Sequence, residues 1–203
     1  MNVEYGCVVG SWDRYNIYVA PRTAGRPVHT RFGETSIATA YNSILDACAA
    51  DTALILVHDD LELTDPHAEA KLLAAVEPDV GLVGVAGGNG RHGLAWWLYD
   101  PVGHQQTDVL NIDFGPRTGD VDLLEGSLLV FSPWAVKILR FDERFPGFHG
   151  YDEIAAQSRA GGMRCVVADV DTHHHSALGF KSAASHLQWL EADRMYREKW
   201  GLG

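Results

Sequence analysis

The run Ala53-Leu54-Ile55-Leu56-Val57 constrains this chain more than any other feature. It is continuously apolar with no alternation, and it is too short for a helix. Such a run reads as a central strand covered on both faces, the kind that parallel α/β sheets build by laying helices on each side. Its last residue leads directly into His58-Asp59-Asp60. Ligands of open α/β sheets bind outside the carboxyl ends of the strands, so this carboxylate pair stands where chemistry is expected.

The flanking pattern agrees. Residues 5–9 read as a short buried strand ending at Gly10-Ser11, and 16–20 as another short element before a loop over 21–27. A helix follows, capped by Thr35 or Ser36. Its stripe is Ile37, Ala40, Tyr41, Ile44, Leu45 and Cys48, spaced as one helical face. Residues 66–76 carry the next helical pattern, and 80–85 another buried strand, stopped by Gly87-Gly88-Asn89-Gly90. Strand and helix in alternation predict a βαβ layout. Further on, 93–122 reads as loops and edge strands, 123–131 as a strand, 133–139 as a helix and 141–150 as a loop. A helix over 152–160, a strand over 164–170 and the tract His173-His174-His175 come next. Trp189, Ala192, Tyr196 and Trp200 stripe a last helix from about Ser185. The expectation is one α/β domain over 1–203, with a mostly parallel central sheet flanked by helices.

Composition narrows the function. With 46% hydrophobic and 21% charged residues, the 203-residue chain can bury a core of its own. A net charge of −11 argues against a broad basic face for nucleic acid, though a metal ion could bridge the protein to a phosphorylated ligand. Cys7, Cys48 and Cys165 are far apart, with no Cys-x-x-Cys pair, and read as buried thiols of a reducing compartment. The N-terminus has no basic region ahead of its short apolar run, and no stretch reaches the ~18 apolar residues of a membrane span. A cytoplasmic protein is expected.

Three groups of residues could carry chemistry. Asp59 and Asp60, leaving a strand, diverge, so one can reach a divalent ion while the other holds ribose or a loop. Imidazoles suit Mn²⁺ or Zn²⁺, and in extended chain His173 and His175 face one side while His174 faces the other. Asp152 and Glu153 open a helix, either as partners of its dipole or as a general base.

Four blocks appear in the order seen in glycosyltransferases of the GT-A fold. They are Ser36-Ile37-Ala38-Thr39-Ala40-Tyr41-Asn42, Leu54-Ile55-Leu56-Val57-His58-Asp59-Asp60, Phe141-Asp142-Glu143-Arg144-Phe145 with Phe148-His149-Gly150-Tyr151-Asp152, and His173-His174-His175-Ser176. From about Thr35 to Gly179 the chain resembles a bacterial glycosyltransferase-like family within that fold. The resemblance implies a sugar transfer from a nucleotide-diphosphate sugar to a glycan or small-molecule acceptor, inverting, with Mn²⁺ or Mg²⁺. It makes Asp60 the metal-binding member of an Asp-x-Asp-type element, with His175, and with it His173, as late metal ligands. Asp152 matches the base position, and Glu153 is the alternative because the spacing is ambiguous by one residue. Ser11, Trp12, Asp13 and Asp59 fall where the nucleotide binds, in an N-terminal part shorter than the family's usual one. Asn42 looks structural. Trp96, Trp97 and His149 are candidates for the acceptor. Two other classes stay open: a metallohydrolase using the His/Asp cluster, and a GT-A relative that binds nucleotide or glycan without turnover. A homodimer is left open.

Overall fold

A computed structural model describes residues 1–23, 25–34, 36–147, 149–175 and 182–202. Thr35, Phe148, Ser176 and Gly179, named above, lie outside the described residues. The chain begins with β1 (Asn2–Val9), α1 (Trp12–Arg14) and a π-helical turn with a 3₁₀ turn behind it, then β2 (Val28–Phe32), α2 (Ile37–Ala47) and β3 (Thr52–Val57). It continues with β4 (Leu61–Leu63), α3 (Ala68–Ala74), β5 (Val80–Gly84), β6 (Ala86–Gly88), β7 (Val102–Thr107), β8 (Asn111–Asp113) and β9 (Gly119–Val121). The remainder is β10 (Leu123–Leu124), β11 (Leu128–Phe131), α4 (Pro133–Ile138), α5 (Gly150–Ala160), β12 (Arg164–Val167), β13 (Thr172–His174) and α6 (Ala183–Trp200).

The main sheet has seven strands in the order β2-β1-β3-β11-β5-β12-β9. β1 is parallel to β2 and β3, and β12 to β5, whereas β11 is antiparallel to β3 and β5 and β9 to β12. Five of the seven strands therefore point one way. β3 is buried at every position, as its unbroken apolar run predicts. Leu54 and Leu56 pack on one face with Tyr41, Ile44 and Leu45 of α2; Ile55 and Val57 pack on the other with Leu72 of α3. Each such side chain contributes about 1.5–3 kcal/mol on full burial, which is why this strand cannot shift register. Ser36 caps α2, its side chain accepting from the Thr39 N–H at 3.3 Å.

The chain leaves β1 for β2 on one side, then crosses through α2 to β3 on the other. The strand order reverses between β1 and β3, and the carboxyl ends of strands at such a reversal are the usual ligand position in open sheets. The N-terminal part is compressed, with only short helical turns between β1 and β2.

A second sheet, β10-β6-β7-β13-β4 with β8 on β7, lies at that same end. Here the structure differs from the sequence pattern. Residues 123–131 form two strands, because Glu125-Gly126-Ser127 carries the chain from the second sheet into the first. The strand expected over 164–170 ends at Val167, and the histidine tract belongs to a separate strand, β13, antiparallel to β4 and parallel to β7. Among the described residues no helix is long and apolar enough to cross a membrane.

Candidate active site

Asp59 and Asp60 follow β3 and part company at once. Asp59 is buried, and its Oδ2 accepts from the Gly10 N–H at 2.8 Å, the Ser11 N–H at 2.6 Å and an Arg14 guanidinium N–H at 3.1 Å. It ties the end of β3 to the turn after β1. A side chain at position 10 would crowd this arrangement, since a Cβ there would stand 3.1 Å from Arg14 and 3.4 Å from the Asp59 carboxylate. Of the two roles expected of this carboxylate, ribose or a loop, the contact seen is with a loop.

Asp60 turns toward the second sheet. Its Oδ1 lies 3.2 Å from His174 Nε2 and 4.0 Å from His58 Nδ1, and its Oδ2 lies 3.5 Å from the Arg14 guanidinium. Burial pushes this carboxyl's pKa up, but the hydrogen bond and charge of His174, with His58 and Arg14, outweigh it and hold the group at about 2. Burial first, then the like charge of His174, push His58 down, against the pull of Glu125, Asp60 and Asp59. A neutral imidazole is the form that ligates metals. His58, Asp60 and His174 each offer one ligand atom, all within 4.8 Å of one another. Imidazole nitrogen with carboxylate oxygen fits a divalent transition ion such as Mn²⁺.

The histidine at Asp60 is His174, where the expectation named His175 with His173. β13 pairs His174 with Leu61, one residue past Asp60, and the His175 N–H donates to the Asp60 carbonyl at 2.8 Å. Strand alternation then turns His173 and His175 to the opposite face, where both meet Asp108.

The adjacent carboxylates Asp152 and Glu153 open α5. Glu153 has no solvent exposure, and its carboxylate faces Lys199 at 2.9 Å and accepts from the Gln157 amide at 2.8 Å. It fastens α6 to α5, and Asp142 receives the same lysine at 2.9 Å. Asp152 is partly buried, and among the described residues no such cation pairs with it. Burial, then the Glu125 carboxylate, raise its pKa well above the ordinary carboxylate value. Gly126 permits this approach of Glu125 to α5, since a Cβ there would come within 2.5 Å of the Tyr151 side chain. Tyr151 in turn meets the His58 ring edge-on at 5.6 Å, which links the α5 start to the β3 end. Sequence reasoning passed over Glu125 because it sits inside what reads as one continuous strand. The glycine beside it was the available signal.

Asn42 is structural: its amide donates to the Phe141 carbonyl at 3.0 Å and accepts from the Phe141 N–H at 2.8 Å. Ser11 caps α1 through Arg14 at 3.4 Å, and Asp13 lies exposed in the same turn. Trp12 is 44% exposed beside Phe32, an aromatic face in the turn after β1. Trp96 is a core residue at 5% exposure, so it has no face to offer an acceptor, whereas Trp97 is 40% exposed and packs against Trp189. His149 precedes α5, with its pKa lowered by burial against the pull of a backbone hydrogen bond at Ser185.

No protein-family model matches the chain. It is 31% identical over 205 residues to the streptomycin biosynthesis protein StrF of Streptomyces griseus, spanning 92% of this chain and 73% of that one. Among solved structures, the mannosyltransferase PcManGT from Pyrobaculum calidifontis, in complex with GDP-Man and Mn²⁺, superposes with a TM-score of 0.62 at 11% identity. That match covers 98% of this chain and 63% of the mannosyltransferase. The A197 protein from STIV superposes with a TM-score of 0.56 at 11% identity over 87% of each chain. The architecture is thus GT-A-like, and with that degree of identity to StrF the chain belongs to the StrF family.

Proposed function

We propose that this chain is a metal-dependent glycosyltransferase that moves a sugar from a nucleotide-diphosphate sugar to an acceptor hydroxyl with inversion. The observation that carries the reading is the meeting of Asp60, His58 and His174 beyond the carboxyl end of β3, where the strand order reverses. In a chain of net charge −11, a diphosphate placed there needs a cation beside it. Asp60 and His174, with His58, would hold Mn²⁺ or Mg²⁺. The chemistry such an ion supplies when bound is neutralisation of the negative charge that develops on the departing diphosphate.

The remaining work falls to the chain itself. Asp59 holds the Gly10-Ser11 turn against the end of β3, and Trp12 offers a ring for the nucleotide base. Asp152 accepts the acceptor's hydroxyl proton while that oxygen forms its bond to the anomeric carbon. The bond from the anomeric carbon to the diphosphate breaks in the same event, and its electron pair leaves with the diphosphate. A raised pKa makes Asp152 a stronger base than an ordinary carboxylate. Trp97 is the remaining aromatic candidate for stacking on an acceptor ring.

One observation favours a second reading, a nucleotide-binding relative without turnover: the Arg14 guanidinium already reaches both Asp59 and Asp60. Calorimetry with a panel of nucleoside diphosphates, with Mn²⁺ and with chelator, separates the two. The transferase reading expects binding that requires Mn²⁺ and is lost in Asp60→Asn. Equal affinity in excess chelator would sink it and leave Arg14 as the phosphate's partner.

A further inference from the structure

About two turns along α5 from Asp152, the helix borders a cavity that the proposed reaction does not use. Its volume is about 320 Å³, at the small end of the range for ligand pockets. It lies where the last turns of α5 and α6 face the loop after β6. Ala156 and Ala160 of α5, with Leu202, give it an apolar lining. Leu202 is folded back by Gly201, whose left-handed backbone (φ 65°) ends α6, and its N–H donates to the Arg197 carbonyl at 2.9 Å.

The polar side chains that line the cavity are Arg91, Arg159, Tyr196 and Trp200, and no lining side chain is a carboxylate. The two arginines meet over one buried acid. Asp122 accepts from Arg91 Nε at 2.8 Å and pairs with Arg159 at 3.2 Å, and the Asp122 carbonyl accepts from Arg159 Nε at 2.9 Å. Two guanidiniums against one carboxylate leave a positive charge beside the cavity, in a chain whose net charge is −11.

Donors are in surplus as well. A guanidinium carries five N–H groups. Arg91 gives its Nε–H to Asp122, and among the described residues its two terminal amino groups have no partner. The Trp200 Nε1–H is buried and also has no hydrogen-bond partner among the described residues. The Tyr196 hydroxyl is already committed, donating to the Gly90 carbonyl at 3.2 Å, which ties the Arg91 loop to α6.

We propose that this cavity binds a small organic acid, its carboxylate on the Arg91 and Arg159 guanidiniums and its hydrocarbon body against Ala156, Ala160 and Leu202. A guanidinium fork matches a carboxylate with two parallel hydrogen bonds. The apolar lining beside it favours an acid with a hydrocarbon body over a bare inorganic anion. A bound acid would bridge the ends of α5 and α6 to the loop after β6. The site is independent of Asp60 and Asp152, and so of the transferase reading.

The test uses benzoate as the probe, titrated into the whole chain without metal or nucleotide and followed in ¹⁵N–¹H spectra. The Trp200 indole signal, assigned by its absence in Trp200→Phe, should shift and saturate with a Kd on the order of 1 mM, as suits a ligand of this size. Arg91 is 71% exposed along its side chain, so Arg91→Ala should fold, and it should weaken binding about 10–100-fold, the worth of a charge-assisted hydrogen bond. Ala160→Leu, which fills the cavity and leaves both arginines in place, should also abolish saturation. Benzyl alcohol, which lacks the charge, and inorganic phosphate, which lacks the hydrocarbon body, should each bind at least about 10-fold more weakly than benzoate. Circular dichroism checks that each variant is folded. No saturable response to benzoate in the Trp200 or arginine signals would overturn the proposal, as would equal affinity in folded Arg91→Ala or equal affinity for benzyl alcohol. Any of these results would mean that the two arginines only pin the loop after β6 to α5 through Asp122.

Discussion

Two pairs of adjacent carboxylates, Asp59-Asp60 after a strand and Asp152-Glu153 in the first turn of a helix, divide labour in the same way. In each, one member is turned into the protein and bonded there: Asp59 to the Gly10-Ser11 turn and Arg14, Glu153 to Lys199 and Gln157. The other member, Asp60 or Asp152, makes no such bond to the backbone or to a lysine among the described residues. What differs is the electrostatics of the outward member. Asp60 is surrounded by imidazoles and a guanidinium and stays an anion down to about pH 2, which suits it to holding a cation. Asp152, among the described residues, feels burial and a second carboxylate, which suits it to taking a proton. Two carboxylates whose surroundings drive their pKa values apart are the arrangement from which different roles follow.

The largest expected effect tests the outward member of the helix pair. Asp152→Asn keeps size and hydrogen bonding but cannot accept a proton, so sugar transfer should fall ~10²–10⁴-fold, about 2.7–5.4 kcal/mol in the barrier. Nucleotide and Mn²⁺ binding, followed by calorimetry, should persist. Transfer at the wild-type rate would remove Asp152 from the chemistry.

The inward member of the strand pair should act on stability instead. Asp59→Ala strands two backbone N–H groups and Arg14, at a cost of about 2–5 kcal/mol by urea denaturation. Unchanged stability with lost nucleotide binding would reverse the assignment and make Asp59 the ligand contact after all.

Glu153→Gln is a milder version of the same test. It leaves Lys199 with Asp142 as its partner and should cost about 1–3 kcal/mol of stability with little change in transfer rate. If it slows transfer as Asp152→Asn is expected to, the two carboxylates have exchanged roles.

The smallest effect is a pH dependence of stability. Because the folded-state pKa of Asp152 is raised, its carboxyl is unstrained while protonated. It becomes costly as the pH climbs from the unfolded value of about 3.9 through the folded one. Asp152→Asn should match wild type in melting temperature below about pH 3.9. Its advantage should then grow as the pH rises toward the folded-state pKa. A constant difference at every pH would show that Asp152 does not carry the raised pKa.

Much of the scaffold was legible beforehand because it rests on local physics. An unbroken apolar run becomes a doubly covered strand, and the stripe from Ile37 to Cys48 becomes α2. Alternation in extended chain already separated His174 from His173 and His175. The miss over 123–131 has an equally local cause: Glu125-Gly126-Ser127 is too short an interruption to show against the apolar residues on either side. Trp96 could not be told from Trp97, since burial of one aromatic neighbour and not the other depends on packing from elsewhere in the chain.

By itself, the sequence determined the α/β class, the position of the carboxylate pair at a strand end and the opposed faces of the histidine tract, because periodicity and strand ends are properties of short segments. Only the tertiary structure decided which histidine meets Asp60, which carboxylate of each pair turns inward and that Asp108 joins His173 and His175. Those outcomes depend on sheet register between β4, β13 and β7 and on the docking of α6 against α5, contacts between segments far apart along the chain, as in Glu153–Lys199 (46), His173–Asp108 (65) and His174–Asp60 (114).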